Sequence, residues 1–154
     1  MNKEDRRNAY LYCKFRDEQF ALYDEYGKRH GILMKTLLVL NVLYYAKEGM
    51  TQAEICQRTF HSKQTVNLII KNLLAEGYVA VSGVPGNKRN KMVSMTEEGR
   101  AYCGKVVRHI TWAEDTAMSM FTPEEQKQFI DLSRTFTRNL TRLVNQEEEE
   151  NGIL

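Results

Sequence analysis

The chain has 154 residues, 42% of them hydrophobic and 27% charged, with a formal net charge of +2. That is enough apolar material for one globular domain, or one compact lobe with appended helices. It opens MNKEDRRNAY, and its most apolar region, residues 32–46, is broken by Lys35, Thr36 and Asn41. Neither a signal peptide nor a membrane span is therefore expected, and the chain reads as soluble and cytoplasmic. Cys13, Cys56 and Cys103 are odd in number, far apart and without a CxxC pair, which argues against a disulfide framework or structural zinc and leaves reduced thiols.

From about Lys3 to Tyr26, the residues Tyr12, Phe15, Tyr23 and Tyr26 recur at helical intervals among charges and Gly27 follows, which predicts a long amphipathic helix ending there. A second helix, about Leu33 to Ala46, sets Leu33, Leu37, Leu40 and Tyr44 on one stripe, broadened by Val39 and Leu43. It is apolar on most sides, as expected of a central core helix. Thr51-Gln52-Ala53-Glu54 has the form of a capping box and starts a short helix to about Thr59.

Ser62 is the expected N-cap of the next helix, which runs to about Ala75 and ends at Gly77. At 100° per residue, Val66, Ile69, Ile70 and Leu73 cluster on one side, while Gln64, Leu68, Lys71 and Ala75 point roughly opposite. Residues 78–81 then read as a strand, residues 83–90 as a glycine- and proline-marked loop, and residues 91–95 as the returning strand. Thr96 begins a helix to about Met120 with Tyr102, Val106, Ile110, Ala113 and Ala117 along one face. Thr122-Pro123-Glu124-Glu125 starts a last helix, in which Phe129, Leu132, Phe136, Leu140 and Leu143 repeat at steps of three and four, as in a coiled-coil seam. Residues 145–154 are expected to fray.

Charge is unevenly spread along this order. Between Arg58 and Met95 the basic residues are Arg58, Lys63, Lys71, Lys88, Arg89 and Lys91 and the only acid is Glu76, a local net of +5 that leaves −3 for the remainder. Two short helices joined by a turn, the second polar and basic on its outer face, followed by a hairpin with a basic tip, form a winged helix-turn-helix. In such a module Ser62, Lys63, Gln64, Thr65, Asn67 and Lys71 are placed to meet base edges and phosphates in the major groove of double-stranded DNA. Asn87, Lys88, Arg89 and Lys91 are carried toward the backbone or the adjacent minor groove. For the helix alone, an ordinary surface helix with solvated lysines is the competing reading. The basic hairpin is what argues against it.

The stretch TQAEICQRTFHSKQTVNLIIKNLLAEGYVAVSGVPGNKRNKMVSMTEEG resembles the signature region of MarR-type bacterial transcription regulators. In these a wing is closed by a motif similar to D-x-R-x-x-x-x-x-L-T-x-x-G, here Asn87-Lys88-Arg89, five residues, then Met95-Thr96-Glu97-Glu98-Gly99. The resemblance extends over nearly the whole chain and implies a mainly α fold with a small β-hairpin wing. It implies dimerisation helices at both ends: residues 1–30 as the N-terminal one, 31–99 as the winged DNA-binding domain, 100–146 as the C-terminal ones and 147–154 as an acidic flexible tail. It further implies a homodimeric repressor on a pseudo-palindromic operator, released by a small phenolic or lipophilic effector. Three positions depart from the family pattern: Asn87 replaces the usual wing aspartate, Phe60 stands where a turn glycine is common, and Leu68 where many relatives carry an arginine.

Tyr12, Phe20, Tyr44, Tyr45 and Trp112 are the aromatics available for an effector crevice, with ordinary core packing as the alternative. Cys13, beside Tyr12 and near Lys14 and Arg16, is reminiscent of the peroxide-sensing cysteine of organic-hydroperoxide regulators; a buried inert thiol is the alternative. Cys56 and Cys103 read as structural. His30, His61, His109 and Glu114 lack the spacing of a metal site, and no metal or cofactor is expected. No HExxH, GxSxG or Walker sequence is present, so an enzyme is not expected. A winged helix serving only protein-protein assembly is the stronger rival, since fold does not determine function.

Overall fold

The computed structural model describes residues 2–84 and 86–151; the side chains of residues 84, 87–90 and 147–151 lie outside the described set. In chain order the elements are α1 (Lys3–Arg29), α2 (Met34–Tyr45), β1 (Met50–Thr51), α3 (Gln52–Thr59), α4 (Lys63–Ala75), β2 (Val79–Val84), β3 (Asn87–Met95), α5 (Glu97–Ser119) and α6 (Pro123–Asn151). The fold is mainly helical with one small antiparallel sheet of order β1-β3-β2. It divides into two compact units, residues 1–109 and 110–154.

Helix starts follow local chemistry. In α1 the Asn2 side chain accepts from the Asp5 amide at 2.8 Å while Asp5 accepts from the Asn2 amide at 3.1 Å, satisfying two otherwise orphaned donors. The expected box at α3 forms in the same way: the Thr51 amide donates to Glu54 Oε2 at 2.7 Å and the Glu54 amide to Thr51 Oγ1 at 3.3 Å. At α6, Thr122 and Glu125 repeat it at 2.8 and 3.3 Å.

The core of the first unit is built around α2, which packs on α1, α3, α4 and β3, as its apolar girth required. Leu37, Val39, Leu40 and Leu43 are buried, joined by Ile55, Val66, Ile70, Leu73, Val79 and Val93. Leu33 corrects the sequence expectation. It is the extended N-cap of α2 and 67% exposed, so it leaves the helical stripe, and Ile32, at 1%, fills the core in its place.

Gly27 also differs from its expected role. The helix runs through it to Arg29, and Gly27 is buried where α1 meets the following turn. A Cβ there would stand 2.5 Å from the Ile32 carbonyl oxygen, so glycine permits close approach rather than ending the helix. At the end of α4, Gly77 takes φ +76 and the Tyr78 amide bonds the Leu73 carbonyl at 2.9 Å, the Schellman termination expected of that glycine.

The hairpin is longer than its glycines and proline suggested. Most of the expected loop, residues 83–90, is strand: β2 continues to Val84 and β3 begins at Asn87, with a register break between Gly83 and Val84. Gly83 pairs with Lys91 and Val84 with Asn87, so cross-strand pairing engages positions whose local sequence favours turns. β1, two residues long and paired through Met50 with Val93, was not anticipated.

In α5 the buried face is rotated from the expected one. Val106 and Ile110 are buried as read, but Cys103 and Val107 join them, while Ala113 and Ala117 are exposed. Tyr102 lies at the edge, stacked on Tyr78 with centroids 4.1 Å apart and planes 9° from parallel. In α6 the helical backbone continues to Asn151, past residue 145 where fraying was expected. Its apolar seam faces solvent in the single chain: Leu132 is 70% exposed, and Phe129, Leu140, Leu143 and Val144 are also exposed.

Candidate nucleic-acid interface

Helix α4 is held by its inner face and leaves its outer face free. Val66, Ile69, Ile70 and Leu73 are buried, and Lys63, Gln64, Asn67, Leu68 and Lys71 are exposed. The period of 3.6 residues makes both faces continuous ridges. Ser62 fixes the N-terminus: its Oγ accepts from the Thr65 amide at 3.2 Å and lies 3.0 Å from the Thr65 hydroxyl. Thr65 is half-buried and engaged in this cap, so among the predicted residues it is the least available to a ligand. No acidic residue stands in the first turn, where the helix dipole favours an anion such as phosphate.

Where α3 crosses α4 there is a crevice of about 320 Å³ lined by Gln52, Ala53, Cys56, Lys63, Gln64 and Asn67. Three of these had been singled out from the sequence. Gln52, Ala53 and Cys56 were not assigned to the interface, because their place there depends on how the two helices cross. The turn between the helices contains Phe60, in the left-handed conformation at φ 56 and 94% exposed. A phenylalanine therefore occupies a backbone conformation natural to glycine, at a cost of about 1 kcal/mol.

Lys91 is exposed on β3. Asn87, Lys88 and Arg89 fall on the same strand, and their side chains lie outside the described residues. The base of the wing is tied to α5 through Thr96 and Gly99. Thr96 Oγ1 donates to the Gly77 carbonyl at 2.7 Å and accepts from the Gly99 amide at 3.0 Å, and the Thr96 amide donates to the Tyr78 carbonyl at 3.1 Å. A Cβ on Gly99 would stand 2.0 Å from the Tyr78 oxygen, which gives the T-x-x-G spacing a physical reason.

The aromatics considered for an effector fall on three helices, α1, α2 and α5. Tyr12 and Phe20 are exposed on α1, Trp112 is exposed on α5 within the second unit, and Tyr44 and Tyr45 stand edge to face at 5.2 Å at the end of α2. Arg108 donates to the Tyr44 hydroxyl at 2.6 Å, and the Arg100 guanidinium lies 5.3 Å from the Tyr44 ring centre. Cys13 is half-buried on α1, as is Cys56 on α3. Cys103 is buried, and burial pushes its thiol above the ordinary range. Tyr26 lies 4.7 Å from His30 and 5.5 Å from His109, centroid to centroid. Among the described residues no three of His, Cys, Asp and Glu converge as a metal site, and no helix is long and apolar enough to cross a membrane.

A profile of the MarR family matches residues 30–90, which span α2 to the first four residues of β3. The fold is similar to that of AbsC, a MarR family transcriptional regulator from Streptomyces coelicolor, at 14% identity and a TM-score of 0.77 over 92% of this chain and 97% of that one. It is similar to Sco3205, a MarR family transcriptional regulator of the same organism solved in complex with DNA, at 17% identity and a TM-score of 0.76 over 91% and 89% of the two chains. The S. aureus MepR-DNA complex matches at 21% identity and a TM-score of 0.63 over 90% and 96%. No curated protein sequence matches the chain.

Proposed function

We propose that this chain, whose residues 30–90 match the MarR family profile, is a sequence-specific DNA-binding transcription regulator, acting as a repressor, not an enzyme. The observation that carries this reading is the outer face of α4, which presents Lys63, Gln64, Asn67 and Lys71 to solvent from a helix anchored by four buried aliphatics. Amide side chains read adenine edges in the major groove, and lysines neutralise phosphate. Neighbours of the same fold were solved with DNA, which supports this assignment. The wing, through Lys88, Arg89 and Lys91 with Asn87, adds backbone contacts.

The protein works in the cytoplasm as a homodimer on a pseudo-palindromic site. The exposed Leu132, Leu140 and Leu143 on α6, and the exposed Tyr10, Phe15 and Leu22 on α1, are apolar surface of the kind that a second copy covers. A small phenolic or lipophilic effector, bound near Tyr44 and Tyr45, releases the DNA. The test is competition binding of Gln64→Ala and Asn67→Ala on a selected duplex and on random duplex. Each variant loses affinity for the selected duplex by about 1 to 3 kcal/mol and little for random DNA. Equal losses on both would remove the base-reading role.

A further inference from the structure

Helix α4 separates its side chains by chemistry except at two leucines, Leu74 in its last turn, 40% exposed, and Leu68 in its middle. Val66, Ile69, Ile70 and Leu73 are buried, whereas Leu68 is 59% exposed on the opposite face. It follows Gln64 by four residues and precedes Lys71 by three, so the three side chains form one continuous outward ridge. Leu68 is the sixth residue of the helix, beyond the Ser62–Thr65 cap and next in sequence to Asn67 at the α3–α4 crevice. A single exposed leucine on a surface helix needs no explanation, but its place in the middle of this ridge gives it a role.

Resting on the DNA-binding reading above, we infer that Leu68 is a specificity-determining residue that packs on the C5 methyl group of a thymine in the major groove. The methyl is the one apolar group that any base pair shows there, and it marks A·T pairs apart from G·C. Gln64 and Lys71 on either side supply polar contacts to the neighbouring base edge and phosphate. Leucine has no donor or acceptor, so it takes no part in either. Its contribution is to remove the methyl, and its own Cδ atoms, from water. Loss of one buried methyl corresponds to about fourfold in affinity, and to about fifteenfold when both half-sites of a dimer lose it.

The experiment begins with enrichment of duplexes from a randomised pool by the full-length protein. In the enriched duplex each thymine is then replaced by deoxyuridine, which keeps Watson–Crick pairing and lacks only the methyl group. Binding is measured for the wild type and for Leu68→Ala, whose melting temperature is checked against the wild type. The expected result is a position where deoxyuridine weakens wild-type binding about fourfold per half-site while Leu68→Ala binds the two duplexes equally. Indifference of the wild type to every replacement, an enriched site without thymine, or a deoxyuridine effect that persists in Leu68→Ala would overturn the inference. Failure of the pool to enrich at all would overturn the DNA-binding reading itself, a separate outcome.

Discussion

Replacing Gly99 by alanine isolates the closure between wing and α5. The added Cβ would lie 2.0 Å from the Tyr78 oxygen and 2.9 Å from its carbonyl carbon, both backbone atoms. Ordinary C···O contacts begin near 3.3 Å, so the two segments must separate by more than about 1 Å. That separation breaks the Thr96 bonds to Tyr78 (3.1 Å) and Gly77 (2.7 Å). Two hydrogen bonds at about 1 kcal/mol each, together with about 1 to 2 kcal/mol of overpacking, outweigh the roughly 1 kcal/mol by which alanine favours a helix over glycine. The net loss is about 2 to 3 kcal/mol, or a fall of about 5 to 10 °C in Tm. Gly83→Ala is the control, because a Cβ there meets nothing within 4 Å and the backbone is not left-handed. Thermal unfolding by circular dichroism should show Gly99→Ala well below wild type and Gly83→Ala within about 0.5 kcal/mol of it. A Gly99→Ala protein that melts with wild type would refute the close-approach argument.

Phe60→Gly relieves a left-handed φ and removes a side chain that is 94% exposed, so it stabilises by about 0.5 kcal/mol and raises Tm slightly; a lower Tm would mean that the ring packs. Glu54 is held below the ordinary carboxylate range by bonds from the Thr51 amide and hydroxyl. Its stabilisation is therefore complete above the ordinary carboxylate pKa and is lost as pH falls through the lowered one. The Tm gap between wild type and Glu54→Gln should narrow below about pH 4, and a gap independent of pH would contradict this. Leu132→Glu combined with Leu140→Glu should convert a micromolar dimer to monomer in sedimentation velocity, and a wild type that is already monomeric would remove the dimer proposal.

What was legible in the sequence was local. The capping boxes at Thr51–Glu54 and Thr122–Glu125 and the Ser62 cap connect residues three apart, so the helix starts could be read directly. The α4 faces were legible for the same reason, since a period of 3.6 needs no partner to be seen. Features set by distant partners were not. Gly27 looked like a terminator, although its role is contact with Ile32 beyond the helix, and the pairing of Gly83 with Lys91 and of Val84 with Asn87 is set by the opposite arm of the hairpin. The rotated face of α5 and the crevice holding Gln52 and Cys56 likewise follow from packing between elements.

Whether the outer face of α4 reads DNA is decided by fluorescence-anisotropy binding across a salt series. The probe is the duplex upstream of the protein's own coding sequence, with scrambled duplex as competitor. The expected result is tight binding to the upstream duplex that falls steeply with salt and resists the competitor, with a shallower slope for Lys63→Ala. Binding that ignores both salt and sequence would contradict it and would assign the winged domain to a protein partner.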